Sequence, residues 1–168
     1  IQHNIFTAGR EIGENEDARI VDTALDDAAN TVTGGATITI ANITRAIQYL
    51  EDGFYHATDF IVGPEVANDL RNLDTFVEAS KLGTREAFER GIVGRIFGMD
   101  VRLVHTHAIT TTSAYVIDRA HAFVIVEKRP VTIERYDDVT HDLSGVVVTQ
   151  RFTADSLRTS AIAKITTT

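Results

Sequence analysis

At Ile92 the sequence changes its period, and that change restricts the chain to folds that keep helices and strands in separate runs. Before it, apolar residues recur at helical spacing. Over residues 11–30, Ile20, Val21, Ala24, Leu25 and Ala28 repeat every three or four positions while Asp22, Asp26 and Asp27 take other faces, which predicts a helix. Thr33-Gly34-Gly35 ends it. Residues 37–40 read as a short extended piece leading to Asn42, an N-cap for a second helix striped by Ile43, Ala46, Ile47 and Leu50 and stopped by Asp52-Gly53. Phe60-Ile61-Val62 reads as a buried strand; Gly63-Pro64 breaks it, and Pro64 suits the first turn of a third helix through Val66 and Leu70. Residues 72–90 are charged and weakly periodic, so they read as a long loop with one helical turn near Arg85 to Phe88.

After Ile92 the patterns are those of strands. Ile92-Val93, Arg95-Ile96-Phe97, a turn at Gly98-Met99 and residues 101–106 make one hairpin candidate. Residues 114–117 and 121–126, joined by Asp118-Arg119, make another. Val131, Ile133 and Arg135 then alternate with Thr132, Glu134 and Tyr136, and residues 143–152 and 160–165 complete the strand-rich end. Helices first and strands last define an α+β class, with two lobes that each draw on both ends of the chain.

The length of 168 residues holds one core or two small lobes. The first residue is Ile1 rather than Met, and an N-terminal portion beyond this sequence is expected. No apolar run approaches the ~20 residues of a membrane helix, no signal peptide opens the sequence, and no membrane partner is expected. There is no cysteine, so neither disulfides nor thiol chemistry enter. Sixteen basic against 24 acidic residues give −8, which disfavours direct contact with nucleic acid. Only Lys81, Lys128 and Lys164 are lysines, and Asp and Thr are abundant. That balance points to adaptation to high salt, where acids screen one another; a GC-rich genome, which replaces Lys with Arg, is the plainer reading.

No catalytic set stands out. His105 and His107 share one face of an expected strand and could hold a metal with a third ligand, but two half-exposed polar residues explain them as well. His56, His121 and His141 are scattered, and none of Ser80, Ser113, Ser144, Ser156 and Ser160 lies in a nucleophile elbow. Asp137-Asp138 would point to opposite faces of a strand, so a solvated turn between strands is expected rather than a shared-proton dyad. Gly91, Gly94 and Gly98 match neither phosphate-binding fingerprint and read as turn or bulge glycines. Asn42-Ile43-Thr44 has the form of a glycosylation sequon, discounted because Asn42 is assigned to a helix cap. No metal, no cofactor and no enzymatic activity are expected.

A set of short motifs nevertheless falls in a recognisable order. Ile61-Val62-Gly63-Pro64-Glu65-Val66-Ala67-Asn68-Asp69-Leu70 is followed by Gly91-Ile92-Val93-Gly94-Arg95-Ile96-Phe97-Gly98-Met99-Asp100-Val101, then Ala114-Tyr115-Val116-Ile117-Asp118. Residues 127–138, with Arg129, Thr132, Glu134, Arg135 and Asp137-Asp138, come next, and Arg151-Phe152 closes the series. In order and spacing, across residues 43–165, these resemble the major capsid proteins of tailed double-stranded DNA viruses, the Hong Kong 97-type phage capsid fold. A haloarchaeal virus would unite the resemblance with the salt signature.

The resemblance implies an axial domain over residues 39–117. It also implies a peripheral domain built from a long spine helix in residues 1–38 and from the return strands of residues 118–168, the last of which either stays there or rejoins the axial domain, with mixed and antiparallel sheets. The family's N-terminal arm and extended loop are not found in this segment, so no cross-linking lysine is carried over. The implied partners are further copies of the chain in pentamers, hexamers and shells, other virion proteins such as portal or decoration proteins, and packaged DNA only indirectly. The implied location is the virion, with assembly in the host cytoplasm. Asp137 and Asp138 would lie where capsomers meet, facing Arg129, Arg135 or Arg151 of a neighbour. Asp74, Glu78, Lys81, Arg85 and Arg90 would lie on the loop at the capsomer centre. An encapsulin-like compartment shares the fold. From other classes, a small metal-dependent hydrolase using His105, His107 and Asp137 or Asp138, or a monomeric binding module, are the alternatives.

Overall fold

The computed structural model describes residues 2–73, 92–104, 108–138, 140 and 143–168. Helix α1 (Gln2–Ile20) continues into a π-helical turn, Val21–Leu25, closed by the Asp26 amide donating to the Val21 carbonyl at 2.9 Å. The wider turn brings Val21, Ala24 and Leu25 inward together. The helix therefore starts earlier than the apolar stripe suggests and stops sooner, because β1 (Asn30–Thr33) already pairs with the last strand. The segment expected to be extended at residues 37–40 joins no sheet: Thr39 is extended, and Ile40 already opens α2 (Ile40–Asp52). Its N-cap is Thr39 rather than Asn42. Asn42 sits three residues in, and its amide donates to the Thr39 hydroxyl while its side chain accepts from the Thr39 amide, a capping box.

Next come β2 (Asp59–Val62) and α3 (Pro64–Arg71), the latter opened by its proline as expected. The loop expected over residues 72–90 lies almost wholly outside the described residues. Strands β3 (Ile92–Ile96) and β4 (Met99–Leu103) form the expected hairpin, with its turn at Phe97-Gly98 rather than Gly98-Met99. Strand β5 is Ser113–Ile117.

The second expected hairpin does not form. Strand β5 pairs with β2 on one side and with β8 (Ile162–Thr166) on the other, while residues 123–126 begin a different strand, β6 (Phe123–Asp138), which pairs with β7 (Leu143–Ser156). Asp118-Arg119 is thus the crossing between two sheets. The alternating stretch at residues 131–136 belongs to the same β6, as does Asp137-Asp138, which is strand rather than turn.

The larger sheet has six strands in the order β1-β8-β5-β2-β4-β3, mixed in direction: β1/β8 and β2/β4 are parallel, and the other neighbours antiparallel. It is covered on both faces. Phe60, Val62, Ala114, Val116, Ala163 and Ile165 pack with Ile43, Ala46 and Leu50 of α2 and Val66 and Leu70 of α3. Tyr115, Ile117 and Ile162 pack on the opposite side with Val21, Leu25, Ile109 and Ala122. Burial on two sides explains why β5 is apolar at nearly every position and shows no alternation. The last strand, though it follows the ribbon in sequence, lies in the six-stranded sheet beside β5.

Candidate assembly interface

Strands β6 and β7 are 16 and 14 residues long and, among the described residues, pair only with each other. Helix α1 and the π turn lie against β7. The β7 residues Val146, Val148, Gln150 and Phe152 are partly buried and Ala154 buried, whereas Gly145, Val147, Arg151, Thr153 and Asp155 on the other face are exposed. Along β6 beyond Phe123, which is partly buried, valines and isoleucines are exposed on both faces. Val126 (55 %) and Ile133 (57 %) stand among Val124, Ile125 and Val131, all exposed. An isolated two-stranded ribbon is marginal in water, and one carrying this much bare valine and isoleucine has the composition of a surface built to be covered.

Pro130 occupies a place in β6 that no central strand would tolerate. The register slips between Glu127 and Arg129 and again between Arg129 and Thr132, so the proline falls in an irregularity on an open edge. The Thr132 and Thr149 hydroxyls meet at 2.9 Å across the strands and re-establish pairing beyond it.

All five residues expected at a contact between capsomers lie on this ribbon, but they form two groups. Arg129 stands directly opposite Arg151, a pairing of like charges. Arg129 reaches Glu134 of its own strand at 3.0 Å, while exposed Arg151 has no partner among the described residues. Asp137, exposed, lies opposite Ser144, two residues from exposed Arg135 and on the same face. Asp138 lies opposite Leu143. Ser144 and Arg151 are separated by roughly 24 Å of strand, so neither Arg129 nor Arg151 can reach Asp137 within one chain. The residues Asp74, Glu78, Lys81, Arg85 and Arg90 lie outside the described residues, as do His105, His107 and His141. Among the described residues no three His, Cys, Asp or Glu side chains gather as a metal would require.

The ribbon is fastened to the sheet by polar groups that sequence reasoning passed over. Asp26 accepts from the Lys164 ammonium at 2.7 Å and from the Tyr115 hydroxyl, and Tyr115 and Lys164 face one another across β5 and β8. Burial raises the Asp26 carboxyl, but the hydrogen bonds from Lys164 and Tyr115, with the lysine charge, outweigh it and leave it below the usual carboxylate range. Burial, reinforced by the Asp26 carboxylate, pushes the Tyr115 hydroxyl far up. The next residue, Asp27, accepts from the Ser156 hydroxyl at the end of β7 at 3.0 Å. Two adjacent acids thus tie the helix end to both sheets.

At the crossing, the Asp118 carboxylate is only 7 % exposed. It accepts from the Ala120 amide (3.0 Å), His121 Nδ1 (2.8 Å) and the His56 amide (3.4 Å). Burial raises it, and the His121 and backbone donors more than reverse that. The nearby Asp59–Arg102 ion pair, 2.6 Å, is also largely buried on its acidic side. An Asp at the end of an all-apolar strand is the signal that could have marked Asp118 as buried and bonded rather than as a turn residue.

A mixed sheet covered by short helices and a long helix laid on an exposed ribbon define an α+β fold of a recognisable kind. Residues 8–167 match the phage capsid family, and the chain belongs to it. No curated protein matches in sequence. Among solved structures, one from Mycobacterium phage Che8 superimposes with a TM-score of 0.76 at 15 % identity, over 96 % of this chain and 61 % of that one. The capsid structure of the cyanophage P-SCSP1u gives 0.70 at 13 %, over 99 % and 65 %. The SrpI encapsulin of Synechococcus elongatus gives 0.63 at 11 %, over 96 % and 63 %. At these identities the likeness is one of fold, and the chain spans less than two thirds of each of these structures.

Proposed function

We propose that the chain is the shell-forming part of a major capsid protein, assembling into pentamers and hexamers that close as an icosahedral shell around viral double-stranded DNA. The observation that carries this is the β6–β7 ribbon: in a member of the phage capsid family, a long two-stranded ribbon exposes apolar side chains that the described residues leave uncovered, as an interface between subunits would. On this reading the six-stranded sheet with α2 and α3 is the axial domain, and α1 with the ribbon is the peripheral one, β8 returning to the axial side. The chain acts in the virion without catalysing a reaction, is made and assembled in the host cytoplasm, and meets portal or decoration proteins there. The encapsulin neighbour supports a second reading, a compartment shell, which a co-purifying cargo enzyme in place of DNA would favour.

The contact between capsomers is assigned to the Asp137 end of the ribbon. Copies of two adjacent acids meeting around one axis repel unless each faces a basic group of a neighbour. Arg129, Arg135 and Arg151 are the candidates, the first and last only in trans. Removing one member of a partly buried charge pair costs chiefly by leaving the other unpaired. Replacing both Asp137 and Asp138 by Lys should therefore spare folding and isolated capsomers yet stop their joining, as seen by electron microscopy. Reversing the matching arginine should partly restore shells. Normal shells from the double-lysine variant would show that this end of the ribbon makes no such contact.

A further inference from the structure

Two phenylalanines occupy backbone positions where glycine or asparagine is the easier choice. Helix α2 ends in a left-handed cap: the Phe54 amide donates to the Glu51 carbonyl at 2.9 Å and the Tyr55 amide to the Leu50 carbonyl at 2.9 Å. The left-handed residue is Phe54 (φ 63°), one position beyond Gly53, whose own φ is −87°. The β3–β4 hairpin turns through Phe97 (φ 48°) and Gly98 (φ 83°), and again the first of these positions normally takes Asn, Asp or Gly. A bulky side chain in this region is strained, and such strain persists where it serves a purpose.

Neither ring finds that purpose among the described residues. Phe54 is 98 % exposed and Phe97 50 %. Both stand at the same end of the six-stranded sheet, where β2 and β4 begin in parallel and the Asp100 amide donates to the Thr58 carbonyl at 3.0 Å. The loop behind Phe54 is fixed: the His56 amide is held by buried Asp118, and the Thr58 hydroxyl accepts from the Arg119 amide at 2.9 Å. A rigid aromatic on a short stem is the form an interface anchor takes.

Charge indicates what receives it. Exposed Glu51 and Asp52 flank Phe54, on a chain of net charge −8, so most of a neighbour's surface would repel it. The middle of the ribbon differs. There Val126, Val131 and Val147 are exposed, and the bases Lys128, Arg129, Arg135 and Arg151 outnumber the exposed acids Glu127 and Glu134. An acid-flanked knob and a basic apolar strip on the same chain are unlike surfaces, and contacts between unlike surfaces of identical subunits build rings where the rotation closes and filaments where it does not. We propose that Phe54, supported by Phe97, docks on the middle of the β6–β7 ribbon of a second copy of this chain. This rests on the reading of the chain as a shell subunit.

The test places the photoreactive analogue p-benzoylphenylalanine at position 54 and irradiates assembled particles. The expected product is a cross-link to residues 126–151 of another copy. A cross-link elsewhere, or none between copies, overturns the proposal. In parallel, Phe54→Gly and Phe54→Asn should unfold at the same or higher denaturant concentration than the parent, since both relieve the cap. Their threshold concentration for assembly should nevertheless rise at least roughly tenfold, the loss of a single aromatic anchor. Lower subunit stability would assign Phe54 to its own fold, and an unchanged threshold would remove it from the interface. If the parent chain forms no particles, the shell reading falls as well; particles that tolerate both variants count against the docking alone.

Discussion

Asp118→Ala should be among the more damaging single changes at the crossing between the sheets. Three donors converge on its carboxylate, and they come from different places: the Ala120 amide and the His121 ring from the crossing into β6, and the His56 amide from the loop before β2. Hydrogen bonds to a charged acceptor contribute about 1.5–3 kcal/mol each, but His121 is half exposed and can turn to water, and the His56 bond is long. Counting the Ala120 bond fully and the others in part gives about 2–4 kcal/mol. For a chain of this size that is a fall of about 4–16 °C in the melting temperature. Asp118→Asn should lose much of the same, because the amide group turns a donor towards one of the three donors. The pH dependence has a definite sign. The folded-state pKa is lowered from its ordinary 3.8, so the contribution is present above that value and is lost as pH falls through the lower, folded-state one. Urea unfolding of parent and variant at neutral pH and at acid pH would show the gap narrow at the acid end. Equal midpoints at neutral pH, or a gap that does not change on acidification, would refute the assignment of Asp118 as the node of this crossing.

Gly63 joins β2 to α3, and a Cβ there would lie 2.7 Å from the backbone oxygens of both Thr110 and Thr111. Because backbone rather than a flexible side chain is in the way, Gly63→Ala should cost about 2–3 kcal/mol, and an unchanged urea midpoint would contradict the close approach. Arg102→Ala leaves the buried Asp59 carboxylate without its 2.6 Å partner and should cost about 2–3 kcal/mol, less than a fully buried pair because Arg102 is itself partly exposed. A double-mutant cycle with Asp59→Ala should return a coupling of at least about 1 kcal/mol, and strict additivity would show that the two do not depend on each other.

The parts of the fold legible from sequence are those fixed by neighbours a few residues away. The stripe of Ile43, Ala46 and Leu50, the proline at the start of α3 and the glycine between β3 and β4 each act within one turn of helix or one hairpin. The errors lie where distant segments decide. Residues 114–117 and 121–126 look like a hairpin because both are apolar and only a short polar gap divides them. The true neighbours of β5 come from residues 59–62 and 162–166, and the gap is bridged by a buried carboxylate. The N-terminal half of α1 carries little apolar signal, since the helix rests on a ribbon and not in a core.

The ribbon shows a different kind of gap. Its period-two alternation is present in the sequence, and on β7 it corresponds to a face turned towards α1 and a face turned outwards. On β6 the alternation predicts a half-buried strand, and the structure leaves Ile125 and Val126, neighbours on opposite faces, both exposed. Local pattern, turn chemistry and core packing agree with each other throughout the six-stranded sheet, and they part company along β6, at Phe54 and at Phe97. Sites where those levels conflict without compensation among the described residues are where function is expected. The conflict here has a common form, apolar side chains placed in water on well-fixed backbone. On the proposed reading of the chain as a shell subunit, the surface that completes them is that of a neighbouring copy.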